Sequence, residues 1–178
     1  MTAAQTTRWL IGLVVFLGHL TATAAPMAAP QAPAPPELPK AARDALKQQW
    51  RDWTQAAADP QATACRAHDG GARTLVTADL DGDGFADYAL AVKIAAGVRL
   101  VALVYRPWGF VLHDLDAIGE QSATRAIDVE PRGGQFMNPR THLSDFYPAD
   151  TLAVSNCVGE TAVYLWRGAG FEKVILPH

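Results

Sequence analysis

Four aspartates stand close together in the segment Asp79-Leu80-Asp81-Gly82-Asp83-Gly84-Phe85-Ala86-Asp87. Their carboxylates take relative positions 1, 3, 5 and 9, with glycine at position 6. This arrangement can wrap oxygen ligands around a hard cation such as Ca²⁺. Gly84 allows a positive φ where the chain doubles back, and the main-chain carbonyl of Phe85 is placed to add a ligand. Without a cation the carboxylates would repel one another. The segment therefore predicts a metal site, with calcium favoured over magnesium and over a solvated Asp-Gly turn.

The residues after the loop separate this segment from an EF-hand. An EF-hand carries a bidentate glutamate at position 12, where this chain has Leu90, and Tyr88, Leu90 and Val92 alternate as in a strand. Residues 79–92 resemble the calcium loop of the FG-GAP repeat, also called VCBS-like, found in integrin alpha-subunit propeller blades and in secreted bacterial proteins. The resemblance covers about one repeat, residues 75–115. It implies Ca²⁺ held by Asp79, Asp81, Asp83, the Phe85 main-chain carbonyl and Asp87.

Beyond Thr74 the chain consists of short β-branched and aromatic runs separated by Gly, Pro and Asp, a pattern typical of strands. From Arg99 to Arg106 both alternating sets of side chains are apolar, so this strand should be central in its sheet and covered on both faces. We predict strands at residues 74–78, 88–94, 99–106, 110–114, 124–130, 151–158, 161–167 and 171–176.

An internal repeat relates these strands. Leu90-Ala91-Val92 recurs as Leu152-Ala153-Val154, and Arg106-Pro107-Trp108-Gly109-Phe110 recurs as Arg167-Gly168-Ala169-Gly170-Phe171. The repeat predicts a mainly β fold of antiparallel sheets, built from two related four-stranded blade-like units with one N-terminal amphipathic helix. Chance similarity between β-hairpins is the alternative. Residues 142–150 of the second copy lack the alternating acids, so one metal is expected. A closed propeller needs about four blades or more, so closure is not expected.

The predicted helix spans residues 38–57. Leu46, Trp50, Trp53 and Ala57 recur at helical spacing with polar residues between them. We assign the two tryptophans to the core rather than to a ligand platform. Asp59-Pro60 should end the helix.

The N-terminal residues predict export. Arg8 precedes an apolar run from Trp9 to Leu17, and small residues follow at Ala22-Thr23-Ala24, the pattern of a secretory signal peptide. We predict a signal peptide at residues 1–24, with an uncleaved anchor as the alternative, and no membrane span after cleavage. A Pro/Ala-rich extended linker follows at residues 25–39, and a calcium-binding β domain at residues 40–178. The mature protein is expected to be periplasmic or secreted.

Cysteine content and charge restrict the function further. The chain has two cysteines, Cys65 and Cys157. Export favours a disulfide between them, and two separately buried thiols are the alternative. Fifteen Lys and Arg against eighteen Asp and Glu give a net charge of -3, which argues against a nucleic-acid partner.

The remaining polar residues offer a weak case for catalysis. His113 lies beside Asp114 and Asp116, and His142 is close to Asp145, so either histidine could act as a base. A solvent-facing strand end is the favoured interpretation for His113. His142 and Asp145 lie in a long irregular segment and could pair, but no Ser or Cys nucleophile elbow is present. Whether the protein is an enzyme is left open, with a noncatalytic role preferred.

Residues 131–148 combine aromatic and cationic side chains in a segment that reads as a loop, where binding residues often lie. In the alternative interpretation, the aromatic residues cover the end of the sheet. We expect a noncatalytic binding or interaction module with a structural metal and a protein or carbohydrate partner; a small secreted hydrolase or an enzyme inhibitor is the alternative. The candidate partner surface consists of Arg132, Phe136, Arg140, His142 and Tyr147.

Overall fold

The structure is a computed structural model that describes residues 37–57, 73–118, 125–156 and 160–176. These ranges contain one helix and eleven strands, and every strand pairing is antiparallel, which confirms a mainly β fold. The elements are α1 (Lys40–Gln49), β1 (Thr54–Gln55), β2 (Leu75–Ala78), β3 (Asp87–Ile94), β4 (Gly97–Arg106), β5 (Gly109–Ala117), β6 (Arg125–Glu130), β7 (Gln135–Met137), β8 (Ser144–Phe146), β9 (Thr151–Asn156), β10 (Thr161–Trp166) and β11 (Phe171–Leu176).

The first sheet contains β1 to β5. Strands β2, β3, β4 and β5 follow one another as a meander, and the short β1 pairs with β3 beside Val92 and Lys93. Strand β4 lies between β3 and β5 and is buried along most of its length. The prediction of a central strand at residues 99–106 is therefore confirmed.

The second sheet has the order β11-β10-β9-β6, and β7 pairs with β8 in a separate two-stranded hairpin. Each of the eight predicted strands matches one strand of the two larger sheets, with ends displaced by at most a few residues. The sequence did not predict β1, β7 or β8, which are only two or three residues long.

Three apolar clusters stack these elements into layers. One cluster fills the space between the two sheets and includes Leu100, Ala102, Leu152 and Tyr164. A second packs α1 against the outer face of the first sheet. The third packs the β7–β8 hairpin, taken with the adjoining Tyr147 as the segment 135–147, against the outer face of the second sheet. The order of layers is therefore helix, first sheet, second sheet, hairpin.

The repeated residues show how the two sheets stack. Leu90 and Phe110 belong to the cluster under α1, on the outer face of the first sheet. Their counterparts in the second copy, Leu152 and Phe171, belong to the cluster between the sheets. The same face of each copy therefore points in the same direction, so the second sheet follows the first head to tail. Head-to-tail stacking leaves the outer apolar face of each sheet uncovered, and these two faces come from opposite sides of the repeat. Helix α1 covers the first of them and the hairpin covers the second.

The predicted helix is correct at its start and wrong at its end. The observed helix, α1, ends at Gln49, and the backbone of Trp50 is already extended, with φ -136° and ψ 107°. The chain leaves the helix because Thr54 and Gln55 then pair with the edge of β3, which satisfies backbone groups that β2 does not reach. Trp50 and Trp53 still pack on the helix cluster, as expected of core side chains.

Several sequence predictions lie outside the described residues. These are the signal peptide at residues 1–24, most of the linker, and the Cys65 to Cys157 disulfide, which stays a prediction. Leu38, near the start of the first described range, is buried in the cluster under α1. Among the residues described, no helix has the length and apolar character needed to cross a membrane.

Candidate metal centre

The acidic segment forms the connection between β2 and β3, so both ends are fixed by a paired strand. Gly82 and Gly84 have φ values of 81° and 89°. These lie in the left-handed region that glycine adopts without steric cost. The expected positive φ at Gly84 is therefore confirmed, and it lets the loop fold back on itself.

The loop carboxylates first bind the backbone of their own loop. Asp79 accepts from the N–H groups of Gly82 and Gly84 through its two oxygens, at 2.9 and 3.0 Å. Asp81 Oδ1 accepts from Asp83 N at 3.1 Å, and Asp83 Oδ1 accepts from Phe85 N at 2.9 Å. These local bonds fix the loop conformation, so the carboxylates are ordered before any ligand binds.

Asp87, the first residue of β3, is the buried member of the set, with 0% of its surface exposed. Its Oδ2 accepts from Leu80 N at 2.9 Å and its Oδ1 from Tyr105 N at 2.8 Å. Burial raises the pKa of Asp87 to about 6; these N–H donors oppose the shift, and the charges of Asp81 and Asp83 add to it. A buried anion of this kind is costly unless a positive charge compensates it.

Three of the predicted ligands converge. One carboxylate oxygen from each of Asp79, Asp81 and Asp87 lies within 4.8 Å of the others. An all-carboxylate oxygen set suits Ca²⁺, which prefers six to eight oxygens in an adaptable geometry. The residues present therefore fit a calcium ion. Asp83 does not belong to this convergent group, although the sequence predicts it as a ligand.

Arg106, at the end of β4, is a site residue that the sequence analysis missed. Its Nη1 donates to Asp81 Oδ2, lies 3.4 Å from Asp83 Oδ2, and donates to the Tyr105 carbonyl at 2.8 Å. Its guanidinium also lies over the Trp166 ring, 5.5 Å from the centroid. The repeat contained Arg106, but the sequence could not show that β4 ends beside the loop.

Asp150 ties the second unit to the loop. Its Oδ2 accepts from Asp79 N at 3.2 Å, its N–H donates to the Asp79 carbonyl at 3.1 Å, and its Oδ1 accepts from Arg132 N at 3.1 Å. Asp150 precedes the second copy of the repeat as Asp87 precedes the first, and each carboxylate accepts two backbone N–H groups. The acidic loop is therefore anchored by both sheets.

Phe85, predicted to supply a main-chain ligand, lies at the exposed tip of the loop. The residue is 58% exposed, and its ring centroid is 5.3 Å from that of Tyr105. Tyr105 in turn packs edge-on against Phe110 at 5.5 Å. This row of rings links the loop to the first sheet.

Two residues of the candidate partner surface are buried, which corrects their assignment. Phe136 and Tyr147 are 6% and 4% exposed and stack with centroids 4.9 Å apart at 8°. They form the inner side of the hairpin that covers the second sheet. The alternative, that aromatic residues cover the sheet, holds for these two, whereas Phe146 points outward and is 60% exposed.

The polar members of that surface are exposed. Arg132, Arg140 and His142 lie on the connections around the hairpin. Arg140 Nη1 is 2.7 Å from Glu172 Oε1 while 73% of its side chain stays exposed. His142 has φ 55° in the turn between β7 and β8, and its N–H donates to the Asn138 carbonyl at 2.8 Å.

The groups considered for catalysis have structural contacts. Asp114 forms a bidentate ion pair with Arg99, whose Nε and Nη2 donate to its two carboxylate oxygens at 2.9 and 2.6 Å. Asp116 accepts from Tyr164 Oη at 3.1 Å and from a lysine Nζ at 2.7 Å. The His113 ring packs edge-on against Trp166 and Phe171, 5.5 Å from each. These contacts give His113 a structural role, and they correct the expectation of a solvent-facing strand end, because the ring is half-buried in the middle of β5.

No protein-family model matches the chain, and no curated protein or solved structure is significantly similar to it.

Proposed function

We propose that this protein is an exported, calcium-binding FG-GAP/VCBS-like domain whose metal is structural and whose role is noncatalytic binding. The observation that carries the proposal is the convergence of Asp79, Asp81 and Asp87 within 4.8 Å, with Asp87 wholly buried. Three carboxylates at this separation repel one another, and a divalent cation offsets that repulsion.

The metal acts through the strands that hold its ligands. Asp79 follows β2, Asp87 begins β3 and is bonded to β4 through Tyr105 N, and Asp150 joins the loop to the second sheet. An ion bound to Asp79, Asp81 and Asp87 would link these elements to one another. It would stabilise the folded state because the unfolded chain does not assemble the site.

A melting experiment tests the site. We expect the melting temperature of the wild-type chain to rise by about 5 to 10 °C from EDTA to a calcium concentration near 100 times Kd. Asp87→Asn should lose most of this rise, because the amide brings no charge to the cation. Magnesium should give a smaller rise, since it demands near-octahedral geometry.

Asp114→Asn is the matched control, since this carboxylate pairs with Arg99 on the open strand surface and not with the loop. It should keep the full calcium-induced rise. Equal melting temperatures of the wild-type chain in EDTA and in calcium would rule out the proposed site.

The proposed partner, a protein or a carbohydrate, would contact the exposed polar residues beside the hairpin, Arg132, Arg140 and His142. The hairpin joins the second sheet directly before Asp150, so calcium would fix this surface through the bond from Asp150 to the loop. Capture from an envelope extract, with calcium and again with chelator, tests this. Specific capture that Arg132→Ala with Arg140→Ala abolishes, without a change in melting temperature, is expected.

A further inference from the structure

The loop carboxylates divide their oxygens between two kinds of partner. In Asp81 and in Asp83, Oδ1 accepts a backbone N–H of the loop. The second oxygen of each faces a single atom, Nη1 of Arg106. The guanidinium therefore occupies the oxygens that the loop backbone leaves available for a cation.

The position of Asp83 agrees with this. The sequence predicts four aspartates as ligands, yet only Asp79, Asp81 and Asp87 belong to the convergent group. The available oxygen of Asp83 is directed to Arg106, at 3.4 Å. An arginine and a divalent cation repel each other in proportion to the product of their charges, so they do not share these oxygens at close range.

We propose that Arg106 is a built-in counter-ion that occupies the loop when calcium is absent and is displaced when calcium binds. This rests on the proposed calcium site and adds its regulation. Release of Arg106 gives the ion an oxygen from Asp81 and one from Asp83. Only molecules in which Arg106 has left the loop can bind calcium fully. The apparent Kd for calcium is therefore the intrinsic Kd divided by the fraction of molecules in that released state.

Displacement also reaches the second sheet. The Arg106 guanidinium lies over Trp166 of β10, at 5.5 Å from the ring centroid, while its Nη1 is bound to the loop of the first sheet. Its side chain is 22% exposed and that of Asp81 is 4% exposed, so the contact is shielded from solvent. Calcium binding therefore changes the charge next to Trp166, which makes this tryptophan a reporter.

Arg106→Gln tests the proposal by calorimetric titration of the full chain with calcium. Since the variant removes the competing charge, calcium should bind about tenfold tighter than to wild type, or more. Without calcium its melting temperature should fall, because the carboxylates lose their compensating charge. Arg99→Gln is the matched control: it removes an arginine from the same strand, where it pairs with Asp114, and should leave the calcium Kd within about twofold of wild type.

Tryptophan emission supplies a second readout that does not depend on the folding of Arg106→Gln. In the wild-type chain calcium should change the emission, and Trp166→Phe should lose most of that change. A calcium-induced emission change that is as large in Trp166→Phe as in wild type would overturn the coupling.

The outcomes separate the two proposals. If wild type binds calcium and Arg106→Gln binds it with equal or lower affinity, the counter-ion role is wrong and the calcium site stands. If neither chain binds calcium, the site itself is wrong and the counter-ion role falls with it. If Arg106→Gln binds calcium more tightly than wild type while Arg99→Gln does not, the result supports both the calcium site and the counter-ion role.

Discussion

His113 shows how a single side chain is governed by the neighbours that the fold gives it. Its half-buried imidazole packs against Trp166 and Phe171. Burial lowers its pKa, and the nearby Arg106 charge lowers it further. Both effects disfavour the protonated ring in the folded state. Proton transfer to a substrate is therefore not needed to explain this histidine.

A pH dependence of stability follows from that shift. In the unfolded chain His113 titrates near its ordinary pKa of about 6.5, and in the folded chain below it. Between these two pKa values the unfolded chain binds more protons than the folded chain. The free energy of unfolding therefore increases as the pH rises through this range and decreases as the pH falls. His113→Phe should flatten this slope.

Urea unfolding in EDTA from pH 4 to 8 measures the slope. Asp87 titrates in an overlapping range, but its contribution is common to both chains and cancels in the difference. His142→Asn is the control, because His142 is exposed in a turn that asparagine tolerates. A slope that persists unchanged in His113→Phe would contradict the assignment.

At the scale of elements, the β7–β8 hairpin is a cover for the second sheet. Its inner side carries Phe136 and Tyr147, and its outer side carries Met137 and Phe146. Burial raises the pKa of Tyr147 to about 12, with a smaller effect from the Glu130 charge. The Tyr147 hydroxyl therefore stays protonated at physiological pH, as suits a core residue.

Replacement of these aromatic residues separates a cover from a binding surface. Tyr147→Ala should lower the free energy of unfolding by about 3 kcal/mol or more, because it opens a cavity beneath Phe136. Phe146→Ala, on the exposed side, should cost less than about 1 kcal/mol. Urea unfolding measures both. A negligible effect of Tyr147→Ala would return this residue to the candidate partner surface.

At the scale of the whole molecule, two sheets stacked head to tail share one core. Leu152 from the second sheet lies in the same cluster as Leu100 and Ala102 from the first. Neither sheet can bury this face alone, and the outer faces are closed by α1 and by the hairpin. The terminal layers therefore have the function of capping elements in a stacked repeat array.

Because the core is shared, a cavity on one sheet should destabilise both. Leu152→Ala should lower the free energy of unfolding by about 2 to 5 kcal/mol. Amide hydrogen exchange should show this loss equally in β4 and in β10, as a single cooperative unit requires. Protection in β4 that does not change while β10 weakens would show that the sheets unfold separately.

The sequence alone determined the features that depend on local pattern. The eight longer strands, the central position of residues 99–106, the start of the helix and the positive φ at Gly84 were predictable, because alternation, helical spacing and glycine placement act within a few residues. The spacing also singled out Asp79, Asp81 and Asp87 as candidate ligands, and their carboxylate oxygens lie within 4.8 Å of one another.

Only the tertiary structure decided which distant residues meet. It ended the helix at Gln49, because β3 offered an unpaired edge to Thr54 and Gln55. It buried Phe136 and Tyr147 in a hairpin too short to carry a strand pattern. It also brought Arg106 and Asp150 to the acidic loop from 19 and 63 residues beyond Asp87, by sequence position. Such contacts depend on how distant strands pair and on how the sheets stack, and no local spacing encodes either.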